Sequence, residues 1–305
     1  MPFQKAKRQG VWCKVLVGGP SGSGKTYSAL KLATGLAAAC GSRIAAIDSE
    51  NGRMNYYANE FDFDVFEGFN DYTPEGYRRA IEAAIDAGYK VVVVDSLTHE
   101  WIKLNELHDA MPGNSYTNWA PLKKRHNQMT EFIIQSPAHI IATSRGKDEY
   151  QLETDSRGKQ IPKKIGVGMV QDKDIEYNYT VTFNLDQKTH VADATKDNTH
   201  IFEGKYDVLT EKHGKMLYEW ANSGDLPAPT AMPKPEYETA VPVEGNELDE
   251  VKKQLVTLAS ALYKKDKDTT IAIIKKYEAS GNPKKITDIG VAQGLLEELS
   301  AMEGN

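Results

Sequence analysis

Residues 19–26 read GPSGSGKT. They stand between an apolar run, Val11 to Gly18 (VWCKVLVG), and an alanine-rich run with helical apolar spacing, Lys25 to Ala39. This is the pattern G-x-x-x-x-G-K-[ST] at a turn from strand to helix, where its chemistry requires it. It constrains the chain more than any other feature, because a buried strand must deliver the loop and a helix must begin on it. The glycines let backbone N–H groups wrap phosphates. Lys25 reaches the β- and γ-phosphates, the Thr26 hydroxyl takes Mg²⁺, and the helix adds the positive end of its dipole. Gly19, Pro20, Ser21, Gly22, Ser23, Gly24, Lys25, Thr26 and the adjoining Tyr27 are the expected ATP-binding residues.

The rest of residues 11–222 alternates strands and helices. Strands are expected at Arg43–Asp48, Lys90–Asp95 (KVVVVD) and His139–Ser144 (HIIATS), and helices at Thr73–Ala87 and Asn118–Gln135. Continuous apolar strands between helices predict a mainly parallel sheet covered on both faces. From Tyr177 the pattern changes to three consecutive strands, NYTVTFNLD, THVADATKD and THIFEG, read as antiparallel, before a short closing helix at Leu209–Asn222. The stretch NSGDLPAPTAMPKPEYETAVPVEGNE then carries five prolines among small and acidic residues. It reads as a disordered linker over 223–246. Beyond it, 247–305 reads as a small helical domain with helices at Glu247–Lys264, Asp268–Ser280 and Asp288–Met302. Its expected core is Leu255, Leu258, Leu262, Ile271, Ile274, Leu295 and Leu299.

Two acids mark strand ends beside the loop. Asp95 closes VVVVD, and a carboxylate at the tip of a buried strand next to the P-loop strand is placed to hold Mg²⁺ together with Thr26. Ser96 would support it. The run IAAIDSENG carries Asp48 and Glu50 at the end of another strand, expected close to the P-loop strand. Hydrolysis needs a group that orients water near the γ-phosphate, and Glu50 is the candidate. Asp48 points elsewhere along an extended chain and reads as structural. Glu100 is a second possible base, and His99 a structural contact.

In order and approximate spacing, GPSGSGKT, IDSE and VVVVDS resemble the RecA family, whose P-loop, catalytic glutamate and Mg²⁺-associated aspartate follow each other in this way. Within it, residues 10–222 look like phage-encoded RecA-fold ATPases of the Sak-type single-strand annealing group, through IDSENGR, VVVVDSLTHEW, HIIATSRGKDEY, YTVTFNLD, HVADATKD and LTEKHGKMLYEW. The resemblance implies an α/β, RecA-like P-loop core with late antiparallel strands, ATP and Mg²⁺ as ligands, and hydrolysis at subunit interfaces. It also implies a γ-phosphate sensor at the strand end occupied here by Ser144 and Arg145, where the family usually has glutamine. Related proteins carry Lys-x-Arg in the late strand. This chain reads Lys196-Asp197-Asn198, which leaves Lys196 as the candidate catalytic cation offered to a neighbour's ATP.

Further expectations concern partners. Residues 145–164, RGKDEYQLETDSRGKQIPKK, follow the strand beside the ATP site, where RecA-like proteins place a DNA-binding loop. Lys147, Arg157, Lys159, Lys163 and Lys164 would contact phosphates of single-stranded DNA, and Tyr150 would stack on a base. An ordinary charged surface hairpin is the other reading. Trp101, Tyr116 and Trp119 are further aromatic candidates. Phe3 and Ala6, in the N-terminal segment 1–10, fit an F-x-x-A pattern by which such proteins dock on the next subunit of a ring or filament. The helical tail reads as a recruitment module for a single-strand binding protein.

A net charge of −6 argues against a polybasic coat without excluding a local basic groove. The two cysteines, Cys13 and Cys40, form neither a zinc spacing nor a disulfide framework, so a reducing host cytoplasm is expected. No membrane partner is expected. The competing readings are a replication helicase loader or helicase-like motor, and a nucleotide-gated binding switch with little turnover.

Overall fold

The computed structural model describes residues 3, 5–113, 115–154, 160–225, 227–228, 247–278, 281–283, 286 and 289–303. The chain forms two compact units, Met1–Lys234 and Pro235–Asn305.

In the first unit the strands are β1 (Lys14–Gly19), β2 (Ile44–Asp48), β3 (Asp64–Val65), β4 (Val91–Asp95), β5 (His139–Thr154), β6 (Gln160–Met169), β7 (Val181–Leu185), β8 (Val191–Asp197) and β9 (Tyr206–Val208). The helices are α1 (Lys25–Cys40), α2 (Pro74–Asp86), α3 (Thr98–Ala110), α4 (Ser115–Gln135) and α5 (Glu211–Ala221). Strand order is β3-β2-β4-β5-β1-β7-β8-β9, with β6 paired to β5. The first six strands in this order, β3 to β7, are mutually parallel, whereas β7, β8 and β9 pair antiparallel. The expected α/β fold, mainly parallel with late antiparallel strands, is the fold observed.

The apolar strands are buried on both sides because their alternate residues enter two different cores. Val15 and Val17 of β1, with Val91 and Val93 of β4, pack in the core that α1 and α5 close. Leu16, Val92 and Val94 face the core that α2 and α4 close. A period of two across a doubly covered sheet demands an unbroken apolar run.

Four expectations are corrected. First, β1 neighbours β5 and β7, so neither β4 nor β2 lies beside the P-loop strand. The strand HIIATS inserts between β1 and β4. Second, that strand does not stop at Ser144 but runs on to Thr154 and pairs with β6. Third, THIFEG is not a strand. The Asp197 carboxylate takes hydrogen bonds from the Thr199 amide (2.8 Å), the Thr199 hydroxyl (2.5 Å) and the Phe202 amide (2.8 Å), which curls the chain and buries Phe202. The edge strand is Tyr206–Val208 instead. Fourth, in the second unit, Ile273 rather than Ile271 is buried beside Ile274 in the core of α6 (Glu247–Lys265), α7 (Lys267–Tyr277) and α8 (Ile289–Glu303).

One packing contact fixes where α1 points. Helices α1 and α5 cross at two glycines. A Cβ on Gly35 would lie 1.9 Å from the Glu211 carbonyl oxygen, and one on Gly214 would lie 2.1 Å from that of Leu32. No side chain fits at either place, so backbone meets backbone and the P-loop helix is held flat against the core.

Candidate nucleotide site

The loop between β1 and α1 has the conformation its glycines allow. Gly22 and Gly24 have φ of 80° and 84°, a region that side chains rarely enter. Gly24 is the N-cap of α1, no side chain caps that end, and no acid stands in the first turn. The first amides of α1 are therefore left for an anion. The Pro20 carbonyl takes the Ser23 amide at 3.2 Å and the Lys25 ammonium at 2.9 Å, which closes the loop on itself. The buried Ser23 hydroxyl has no protein partner.

Loop, strand ends and one short helix enclose a cavity of about 480 Å³. Lys25, Thr26, Glu50, Asp95 and Arg145 line it, together with Arg53, Tyr56 and Tyr57. Although β4 lies two strands from β1, Asp95 reaches the loop: the Thr26 hydroxyl donates to its Oδ2 at 2.5 Å, and the Thr143 hydroxyl of the intervening β5 donates to Oδ1. Burial pushes the Asp95 carboxyl above its usual range, and these two hydroxyls only partly offset it. A buried carboxylate that the fold does not itself neutralise, beside a threonine hydroxyl, is a suitable donor pair for Mg²⁺, which keeps most of its waters and takes one or two protein oxygens. Burial also holds Lys25 below its ordinary value, against the pull of Asp95 and Glu50.

Asp48 and Glu50 separate in role, although a spacing of two along a continued strand would set both on one face; they part because β2 ends at Asp48 and Glu50 lies beyond it. The Asp48 carboxylate accepts from the Glu50 amide (2.6 Å) and the Met54 amide (2.9 Å), so it shapes the turn. Glu50 faces the cavity. Its Oε1 accepts from Arg145 Nε at 2.9 Å and the Ser96 hydroxyl at 3.2 Å, and its Oε2 from Arg145 Nη2 at 2.5 Å. Burial opposes its charge, but Arg145, together with His99 and the Ser96 hydroxyl, holds the carboxyl below the usual carboxylate range. Glu100 is not a base for this site. It is fully buried, and His126 (3.1 Å) and Gln171 (3.1 Å) bind its carboxylate.

Of the sensor pair, Arg145 lines the cavity whereas Ser144 is buried with its hydroxyl 3.3 Å from that of Thr98. Tyr27 does not line it. Its ring packs edge-on against Tyr57 and Phe61. Lys196 is away from this cavity, donating to the carbonyls of Glu176 (3.2 Å) and Tyr177 (2.7 Å). Trp101 and Trp119 stack on each other at 5.6 Å. Phe3 and Ala6 are exposed. Lys147 is exposed on the outer part of β5. Tyr150 on β5 and Lys163 and Lys164 on β6 belong to the hairpin strands, but their side chains lie outside the described residues, as do Arg157 and Lys159 altogether.

Sequence reasoning missed Thr143, Arg53, Tyr56 and Tyr57. Thr143 was legible only with the inserted strand, because its role depends on standing between β1 and β4. The other three sit on a 3-10 turn, Arg53–Tyr57, that begins at Gly52 and carries no periodic signal.

The chain matches an AAA-domain family over residues 13–217, which spans the P-loop, Glu50, Asp95 and Arg145. It belongs to that family. Among solved structures, a KaiC-like protein of the hyperthermophilic archaeon Pyrococcus horikoshii is 15% identical to it, with 61% of this chain and 79% of that chain covered at a TM-score of 0.35. That likeness is too distant to add to what the sheet order shows. No curated protein matches the sequence. Among the described residues of this AAA-domain chain, no helix is long and apolar enough to cross a membrane.

Proposed function

We propose that this chain is a Mg²⁺-dependent ATPase that binds single-stranded DNA and promotes single-strand annealing or strand exchange in phage recombination. The observation that carries the nucleotide half is the convergence of Lys25, Thr26, Asp95 and Glu50, from three separate chain segments, on one cavity. Thr26 and Asp95 would hold Mg²⁺, which supplies charge neutralisation at the phosphate oxygens. Lys25 and the free amides of α1 bind the phosphates, and Glu50 orients water.

The DNA half is supported by the sequence resemblance and by the hairpin of β5 and β6, whose root adjoins the cavity at Arg145 and Gly146. Strands this close to the nucleotide are suited to pass occupancy of one ligand to the other. Docking through Phe3 and Ala6 on a neighbouring copy would close a ring or filament. Lys196 would reach that neighbour's ATP after leaving the two carbonyls it now binds. The helical unit would recruit a single-strand binding protein.

The test is ATP hydrolysis with Mg²⁺, measured with and without oligodeoxythymidylate, alongside annealing of complementary single strands. A rate that rises with the oligonucleotide, with accelerated annealing, is the expected result. Hydrolysis indifferent to the oligonucleotide, with no annealing, contradicts the DNA half. A protein that unwinds duplex directionally points to the motor reading instead.

A further inference from the structure

The P-loop contains a peptide plane that could face either of two ways. The Ser23 amide donates to the Pro20 carbonyl at 3.2 Å, so residues 20–23 form a β-turn, and Gly22 at its third position has φ of 80°. That is the conformation of a type II turn. Types I and II share the closing bond and differ by a flip of the central peptide, here Ser21–Gly22. Glycine at the third position admits both. This peptide is trans, so its carbonyl and its N–H point in opposite directions. One state turns the Gly22 N–H towards the cavity that Ser21 and Gly22 line; the other turns the Ser21 carbonyl there. An N–H dipole attracts a phosphate and a carbonyl repels it.

A side chain from another part of the sheet selects between them. Gln187, in the turn between β7 and β8, donates from Nε2 to the Ser21 carbonyl at 2.8 Å. Gln187 does not line the cavity, so it holds that carbonyl on the outer side of the loop. Among the described residues the Gly22 amide meets no protein acceptor, which leaves it for a ligand.

The turn that carries Gln187 is itself well fixed. The Asp186 carboxylate accepts from the Lys188 amide (3.0 Å), the Thr189 amide (2.8 Å) and the Thr189 hydroxyl (2.8 Å). The Asp186 amide donates to the Val191 carbonyl at 2.9 Å, and the His190 amide to the Asp186 carbonyl at 3.1 Å. Below the turn, β7 stays paired with β1 as far as Asn184 and Gly18. The Leu185 carbonyl then packs so close to the loop that a Cβ on Gly19 would lie 3.0 Å from it. Gln187 therefore reaches Ser21 from a platform built into the sheet, not from a free loop.

We propose that Gln187 is a positioning residue for the nucleotide: it holds the Ser21 carbonyl outward and so keeps the Gly22 N–H aimed at the phosphates. The proposal rests on nucleotide binding at the P-loop; it needs neither DNA nor a second copy of the chain.

The experiment uses the full-length chain and steady-state ATP hydrolysis with Mg²⁺, with ATP binding measured directly beside it, for the native protein, Gln187→Met, Gly22→Ala and the double variant. Methionine matches the length of glutamine and cannot donate. Gln187 is exposed, so thermal melts without nucleotide should coincide for the native protein and Gln187→Met. Gln187→Met is expected to raise the dissociation constant and KM for ATP about fivefold, the scale of one hydrogen bond. Its kcat should stay within about twofold of native, because bound phosphates hold the peptide in the right state. Gly22→Ala disfavours the positive φ and drives the same peptide to its flipped state, so it too should weaken ATP binding. In that background Gln187→Met should add less than about twofold, since the plane it would orient has already turned. Native ATP affinity in Gln187→Met overturns the proposal. So do losses that multiply in full in the double variant, which would mean that Gln187 acts elsewhere than on this peptide. A native protein that binds no ATP overturns the nucleotide reading, and this proposal with it.

Discussion

At the scale of single residues, this fold places charged groups where burial would expel them, and pairs each with a reason to stay. Asp95 is the clearest. Its burial opposes ionisation, so its charge is useful only against a cation. Asp95→Asn keeps an acceptor for one of the Thr26 and Thr143 hydroxyls, offers the other an N–H to accept, and removes the charge. The protein without nucleotide should melt no lower than native, while the stabilisation that Mg²⁺ with ATP gives the native protein should disappear; thermal melts with and without both ligands measure this. A second residue sets the pH response. His139 Nδ1 accepts the Cys13 amide at 3.0 Å, and burial, with the nearby Lys14 charge, pushes its pKa down to about 3. An unfolded histidine titrates near 6.5. Between those values the unfolded chain binds the extra proton, so stability falls as pH drops from about 6.5 towards about 3. Urea unfolding across that range should show the loss. His139→Asn offers an acceptor without a titration and should flatten the slope, whereas an unchanged slope would place the effect elsewhere.

At the scale of elements, what the sequence made legible followed from local rules, and what it hid depended on neighbours. The P-loop, its strand and its helix could be read because glycine spacing and apolar runs are local. Strand alternation does not tell Glu50 from Asp48, since residues two apart share a face; they differ because β2 ends at Asp48, whose carboxylate then binds the amides of the following turn. The order of strands was not legible: an apolar run does not say which strands it lies between, and β5 took the place beside β1. Nor was the length of β5, since charged residues after Ser144 read as loop until β6 pairs with them. The Gly35–Gly214 crossing was hidden for the same reason, as each glycine alone looks like a weak point in a helix. It gives a firm prediction. Gly214→Ala should improve the isolated helix yet destabilise the protein by about 1–3 kcal/mol, because its methyl has the Leu32 carbonyl in its way. Denaturant unfolding decides, and a more stable variant would mean that the helices separate freely.

At the scale of the whole molecule, the nucleotide cavity and the proposed recruitment role fall in different units. Every residue placed around the cavity lies in Met1–Lys234, and the family match ends at residue 217. The first unit also includes part of the proline-rich stretch: the backbone at Pro227 and Ala228 lies against Gly10. Removal of Pro235–Asn305 should therefore leave the rate of ATP hydrolysis near native and weaken capture of a single-strand binding protein in a pull-down. Capture by the shortened chain at native strength would remove the recruitment role. The central claim, that Glu50 activates water for a nucleotide held by Lys25, Thr26 and Asp95, is tested most directly by Glu50→Gln. This variant keeps the side chain's size and its bond from Ser96 but not its basicity. ATP binding and single-turnover hydrolysis should be measured together with Mg²⁺. The account predicts ATP held as tightly as by the native protein, with hydrolysis slowed by about a hundredfold or more, the scale of a lost general base. Hydrolysis at the native rate with ATP still bound would contradict it.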